Sequence, residues 1–146
     1  MSLIDKLKSQ FANSKKKQKD ILEKEKNDKL EIKNNFESIV GDKQFLKDLN
    51  ELMIFFDEQN KSNLNAEKCG YKIEEYSDGP RFIFCKDGYA QSEAYIELEG
   101  KVTIKVGSSN VNNLVGMKFN IRQKKYAQEY FLKLVTKNMS LVDNDR

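Results

Sequence analysis

"YKIEEYSDGPRFIFC", residues 71–85, decides the fold: its side chains alternate with a period of two on either side of an Asp78-Gly79 pair. A period of two belongs to strands with one buried face, and Asp-Gly is favoured where a hairpin turn needs positive φ. Pairing Tyr76 with Arg81 puts Tyr71, Ile73, Phe82 and Phe84 on one face. A one-residue slip would instead set the phenylalanines against Lys72 and Glu74. In the chosen register Cys69 and Cys85 point to opposite faces, which disfavours a disulfide between them, and both are expected as buried or half-buried thiols.

Toward the C-terminus, "AYIELEGKVTIKV", residues 94–106, predicts a second hairpin. It matches Leu98 with Val102 and Ile96 with Ile104 around a Glu99-Gly100-Lys101 loop. "VGMKFNIRQ", residues 115–123, predicts a fifth strand with Met117, Phe119 and Ile121 inward, after a "GSSNVNN" loop at 107–113. From about residue 123 to 140 the period becomes helical, burying Ala127, Tyr130, Phe131, Leu134 and Val135, and "VDNDR" at 142–146 reads as a fraying tail.

Toward the N-terminus, Phe45, Leu49, Leu52 and Phe56 fall on one stripe with Leu46 and Met53 beside them, which predicts a core-facing helix over 43–60. Gly41 fits a helix stop before it and Asp42 its N-cap, and "NKSNLNAEK" at 60–68 follows as a loop. A first helix starts near Leu3, where Ser2 and Asp5 have capping-box spacing. Leu3, Leu7 and Phe11 share a stripe that resumes at Ile21, Leu22, Ile32, Phe36 and Ile39. Unbroken, this helix is long enough to project from a body of this size; otherwise it breaks near Asn13-Ser14. The expected fold class is α+β: two N-terminal helices, an antiparallel sheet of four or five strands and a C-terminal helix, with helices 43–60 and 123–140 covering one sheet face. The expected division is a charged helical arm over 1–40 and a globular domain over 41–146.

The chain has 146 residues, with 38% apolar and 34% charged side chains, which implies a small core under much solvated surface. Its net charge of +3 is uneven, at +3 over residues 1–40, −3 over 41–60, −3 over 61–100 and +6 over 101–146. No apolar run approaches the ~18–20 residues of a membrane span, and an acid interrupts the N-terminal stretch where a signal peptide needs apolar residues. A cytoplasmic protein without a membrane partner is the expectation.

No histidine occurs, which removes the commonest general base and metal ligand. Carboxylate pairs such as Asp57-Glu58 and Glu74-Glu75 are adjacent in sequence, a spacing that separates side chains on a helix or strand. Neither a catalytic residue, nor a metal ligand, nor a cofactor is therefore expected. A histidine-free hydrolase using Asp/Glu or Ser-Lys chemistry is the third-ranked reading.

Lysine outnumbers arginine 23 to 3, so the planar fork that reads guanine and clamps phosphate is scarce. Residues 5–19 carry six lysines against one acid. Lys15, Lys16, Lys17 and Lys19, with Lys118, Arg122, Lys124 and Lys125 near the C-terminus, are the candidate polyanion-binding residues, and nucleic acid is the second-ranked partner. Across the hairpins, Tyr76, Arg81, Tyr95, Lys101, Thr103, Lys105, Lys118 and Arg122 are expected to share the polar sheet face with Glu74, Glu97 and Glu99. Residues 20–38 hold four lysines among six acids, the mixture of a solvated helix face. Along the heptad seam from Leu7 to Ile39 half of the positions are polar, which argues against a long zipper and for short helix-on-helix packing. Leu7, Phe11, Ile21, Leu22 and Ile32 are the candidate self-association residues. The leading expectation is a non-catalytic protein-binding module of adaptor, inhibitor or mobile-element accessory type, homodimeric through its arm.

Overall fold

A computed structural model of the chain describes residues 2–59, 69–86, 89–108 and 116–144. The elements follow in the order α1 (Leu3–Val40), α2 (Lys43–Gln59), β1 (Cys69–Tyr76), β2 (Gly79–Lys86), β3 (Tyr89–Glu99), β4 (Thr103–Ser108), β5 (Gly116–Asn120), a 3₁₀ turn (Ile121–Gln123) and α3 (Lys124–Asn144). The fold is α+β, with all five strands in one antiparallel sheet of order β1-β2-β3-β4-β5.

α1 is one helix of 38 residues without a break at Asn13-Ser14, about 57 Å long at ~1.5 Å per residue. Neither Gly nor Pro occurs before Gly41, and Lys, Glu, Leu and Gln are good helix formers. At its start the Asp5 amide donates to Ser2 Oγ (3.2 Å). At its end the Gly41 amide donates to the Glu37 carbonyl (2.8 Å). A Cβ on Gly41 would lie 2.7 Å from that carbonyl oxygen, which is why glycine ends the helix here. Asp42 then caps α2, its Oδ1 accepting from the Gln44 amide (3.2 Å).

The chain divides into two compact units, Met1–Glu31 and Ile32–Arg146. The division therefore falls inside α1, where the sequence places it at residue 40. Phe36, Ile39 and Val40 are buried in the core of the second unit, and Ile32 packs against that core. Gln128 of α3 donates through Nε2 to the Ile39 carbonyl (2.7 Å), satisfying one of the acceptors that a helix end leaves unpaired. Asn35 Nδ2 donates to the Lys101 carbonyl (2.7 Å) in the turn between β3 and β4.

At the centre of the second unit three rings from three elements meet. Phe45 of α2, Phe82 of β2 and Phe131 of α3 have centroids 5.6–6.0 Å apart in tilted or edge-on pairs. Leu49, Phe56, Phe84, Ile96, Ile104, Val106, Ala127 and Val135 surround them. The inner face of the sheet thus meets α2, α3 and the last turns of α1.

Both hairpins differ from expectation by two residues. Tyr76 pairs with Gly79 and Ile73 with Phe82, around a Ser77-Asp78 turn. Leu98 pairs with Ile104 and Ile96 with Val106, around Gly100-Lys101-Val102. Of the turn residues only the glycines have positive φ, +133° at Gly79 and +71° at Gly100, so Gly79 opens β2 instead of sitting mid-turn. A shift of two preserves the side of every residue, and Cys69 and Cys85 face opposite ways with no disulfide joining them. Three boundaries also move. β4 continues through Ser108, Ile121 enters a 3₁₀ turn, and α3 runs to Asn144 through part of the expected tail. Residues 60–68, 109–115 and 145–146, where parts of the expected loops and tail fall, lie outside the described residues.

Candidate functional site

Within residues 3–31, Leu3, Ile4, Leu7, Phe11, Ile21 and Leu22 fall within one narrow sector of the helix at ~100° per residue. All six are exposed, Phe11 at 68% and Leu22 at 65%. The pair Leu3-Ile4 recurs in the sequence as Ile21-Leu22 and again as Ile39-Val40. Eighteen-residue intervals are five turns at ~3.6 residues each, so helical periodicity puts Leu3-Ile4 and Ile21-Leu22 on one meridian of the first unit. The third pair is core. Ser14, Gln18 and Glu25 interrupt the meridian, leaving two apolar patches in the first unit. Of the five sequence-predicted association residues, Leu7, Phe11, Ile21 and Leu22 are exposed there, whereas Ile32 packs against the core of the second unit.

The polyanion candidates divide between the two units. Lys15, Lys16, Lys17 and Lys19 are exposed on α1. Lys118, Arg122, Lys124 and Lys125 follow one another through β5, the 3₁₀ turn and the start of α3. Asn120 caps that turn by accepting from the Arg122 amide (3.0 Å), and Gln123 Oε1 accepts from the Asn120 amide (3.2 Å). Lys125 lines a recess of about 270 Å³ beside Asp42, Asp48 and Glu129, so acids accompany it.

On the outer sheet face one row of residues crosses all five strands: Glu74, Arg81, Glu97, Lys105 and Lys118. Arg81 donates through Nε to Glu97 Oε2 (2.8 Å) and its Nη2 lies 2.6 Å from the same oxygen. Lys105 Nζ reaches Glu97 Oε1 at 3.5 Å. Desolvation pulls the Arg81 guanidinium down, but the hydrogen bond and charge of Glu97 outweigh it and hold it above its ordinary value. Its guanidinium carbon also lies 4.4 Å from the Tyr76 ring centroid and 4.8 Å from that of Tyr95, bridging β1 and β3. The Tyr95 ring crosses Gly107, where an added Cβ would come within 2.7 Å of its hydroxyl. Glycine there makes room for the tyrosine. Each ring meets a guanidinium already matched to a carboxylate, an arrangement of cross-strand pairing that leaves less ring surface for a stacked base.

Lys72 holds the Glu74 carboxyl below its ordinary value of 4.5, assisted by the Tyr76 hydroxyl, which donates to it (2.7 Å). Lys118 does the same for Glu99 at 2.8 Å. A depressed carboxyl contributes stability above its unfolded value and loses it as pH falls through the folded value, so both contributions fade on acidification below about pH 4.5. Lys118→Met is expected to raise the Glu99 titration toward 4.5 and leave Glu74 where it is, as read by carboxyl carbon NMR. Equal movement of both would show that the general field of the sheet, not the contact, causes the shift.

α2 and α3 enclose an open groove of about 630 Å³, floored by Leu52 and Leu132, with Asp48 and Glu51 on one wall and Lys133 and Lys137 on the other. Leu52 was legible as part of the α2 stripe, but a groove needs the spacing of two helices. Among the described residues no cluster of Cys, Asp and Glu is placed to hold a metal ion, and no helix is long and apolar enough to cross a membrane. Compared with protein-family models, with curated proteins and with solved structures, the chain matches none.

Proposed function

We propose that the protein is a non-catalytic protein-binding module of the cytoplasm, adaptor-like or inhibitor-like, that associates with a second copy through residues 3–31 of α1. The observation that carries this is the exposed apolar meridian of Leu3, Ile4, Leu7, Phe11, Ile21 and Leu22. Exposed apolar patches of this kind are costly in water and mark an interaction surface. Its narrow width suits a helix, and its interruption at Ser14, Gln18 and Glu25 suits two short contacts.

Changing Leu7, Phe11, Ile21 and Leu22 together to glutamine keeps good helix formers and removes the apolar groups. Each buried side chain is worth about 1.5–3 kcal/mol, so association is expected to weaken by more than a hundredfold, with an unchanged far-ultraviolet circular dichroism spectrum. Sedimentation over a concentration series measures it. An association constant that the four changes leave equal to that of the unaltered chain overturns the reading, whatever weaker association remains. A parallel anisotropy titration with single- and double-stranded oligonucleotides at two salt concentrations examines the lysines. Nonspecific binding is expected, no tighter than about 10⁻⁴–10⁻⁶ M at physiological salt. Submicromolar, salt-steep binding abolished by alanine at Lys15, Lys16, Lys17 and Lys19 would replace the protein-binding reading with a polyanion grip.

A further inference from the structure

β1 stands at one end of the sheet order, and among the described residues no strand pairs with its outer edge. Such an edge offers unpaired amides and carbonyls to another chain, and proteins blunt it with proline, bulges, short length or lysines. β5, at the other end, is five residues long and carries Lys118. β1 is eight residues long, contains no proline, carries a lysine at Lys72, and pairs with β2 without a bulge from Cys69 to Tyr76, while at its start the Cys69 amide already donates to Asp57 Oδ1 of α2 (3.0 Å). On its inner face Tyr71 and Ile73 are exposed, Ile73 at 55%, although the Tyr71 ring rests 5.0 Å from that of Phe82. Glu75 is the one charge on that inner face.

The outer face brackets Ile73 with opposite charges, Lys72 before it and Glu74 after it. An antiparallel pair of β1 strands related by a two-fold axis through Ile73 sets Ile73 opposite its own copy. It also sets Lys72 opposite the second copy's Glu74, twice over. Tyr71 then lies diagonal to the second copy's Ile73, within reach of an aromatic ring. Centring on Lys72 opposes lysine to lysine, and centring on Glu74 opposes glutamate to glutamate. A one-residue slip puts Lys72 on the same side as the second copy's Ile73. Of these registers the Ile73-centred one sets opposite charges against each other on the outer face, with Tyr71 opposite the second copy's Glu75 on the inner face.

We propose that β1 pairs antiparallel with β1 of a second copy in this register, joining the two five-stranded sheets into one and covering Ile73 and Tyr71 on the side of the helices. This goes beyond the α1 reading and uses different residues. Lys72 and Glu74 are partners within one chain at 2.8 Å, and the second copy extends that pair into a network of four charges.

The experiment uses the full chain carrying the four α1 glutamines, so that the edge is read apart from the helix. Sedimentation is expected to show a concentration-dependent dimer. Lys72→Glu alone opposes glutamate to glutamate, and Glu74→Lys alone opposes lysine to lysine. Each is expected to weaken the dimer at least tenfold, roughly 1.4 kcal/mol. An equimolar mixture of these two variants restores both attractive pairs in trans and is expected to regain the dimer, as is the double swap Lys72→Glu/Glu74→Lys. Amide hydrogen exchange should slow in β1 as concentration rises. A parent chain that stays monomeric, single variants that dimerise as tightly as the parent, a mixture that recovers nothing, or β1 exchange indifferent to concentration each overturns the proposal. Should one single variant fail to fold, the other single variant against the parent still decides.

Discussion

Deleting residues 1–40 is expected to unfold the sheet and its helices, whereas deleting residues 1–31 leaves them folded. The longer deletion removes Phe36, Ile39 and Val40, all buried in the core, and strands Gln128, whose side-chain amide donates to the Ile39 carbonyl. Loss of a large buried aliphatic or aromatic side chain costs about 2–5 kcal/mol, so three together match or exceed the roughly 5–15 kcal/mol total stability of a small domain. Of the side chains the shorter deletion removes, those of residues 2–31 are exposed, Asp28 apart. Urea titrations of the two truncated proteins, followed by circular dichroism, make the comparison. A cooperative transition after removal of residues 1–40 would place the last turns of α1 outside the cooperative core.

Phe82→Ala is expected to cost about 3–5 kcal/mol of stability. Its ring lies 6.0 Å from Phe45, 5.6 Å from Phe131 and 5.0 Å from Tyr71, so truncation opens a cavity where two helices and two strands converge. Tilted aromatic pairs add about 0.5–1.5 kcal/mol to simple burial, which favours the upper part of that range. Phe55→Ala supplies the contrast. Its ring is 56% exposed and, among the described residues, its one ring contact is with Phe56, so its loss should fall within about 0.5–1 kcal/mol. Comparable losses at the two positions would mean that the three-ring centre is not the core of the cooperative unit.

Near the charge row the same logic bears on specificity. Glu97 stands opposite Arg81 in the β2–β3 pair, and it stands opposite Lys105 only because the β3–β4 hairpin adopts its observed register. In the registers expected from sequence, Glu97 would oppose Thr103 and Tyr95 would oppose Lys105. Opposite charges directly across a strand pair contribute roughly 0.2–1 kcal/mol, a modest amount that still selects between arrangements burying the same face.

The sequence by itself determined which segments are helices and strands, which residues of each strand face the core, and that Cys69 and Cys85 part company. Those properties depend on local periodicity: two residues per repeat in a strand, 3.6 in a helix. Register was beyond it, because a shift of two returns every side chain to the same side of the sheet, and only the turns at Gly79 and Gly100 and the charges across the strands choose among such shifts. The boundary within α1 was beyond it for a related reason. Ile21-Leu22 and Ile39-Val40 are alike in chemistry and stand eighteen residues apart in the sequence, yet the first pair is exposed and the second buried. Periodicity names the face of a helix that seeks cover, and the presence of cover depends on another surface, here the sheet and α3, reaching that turn.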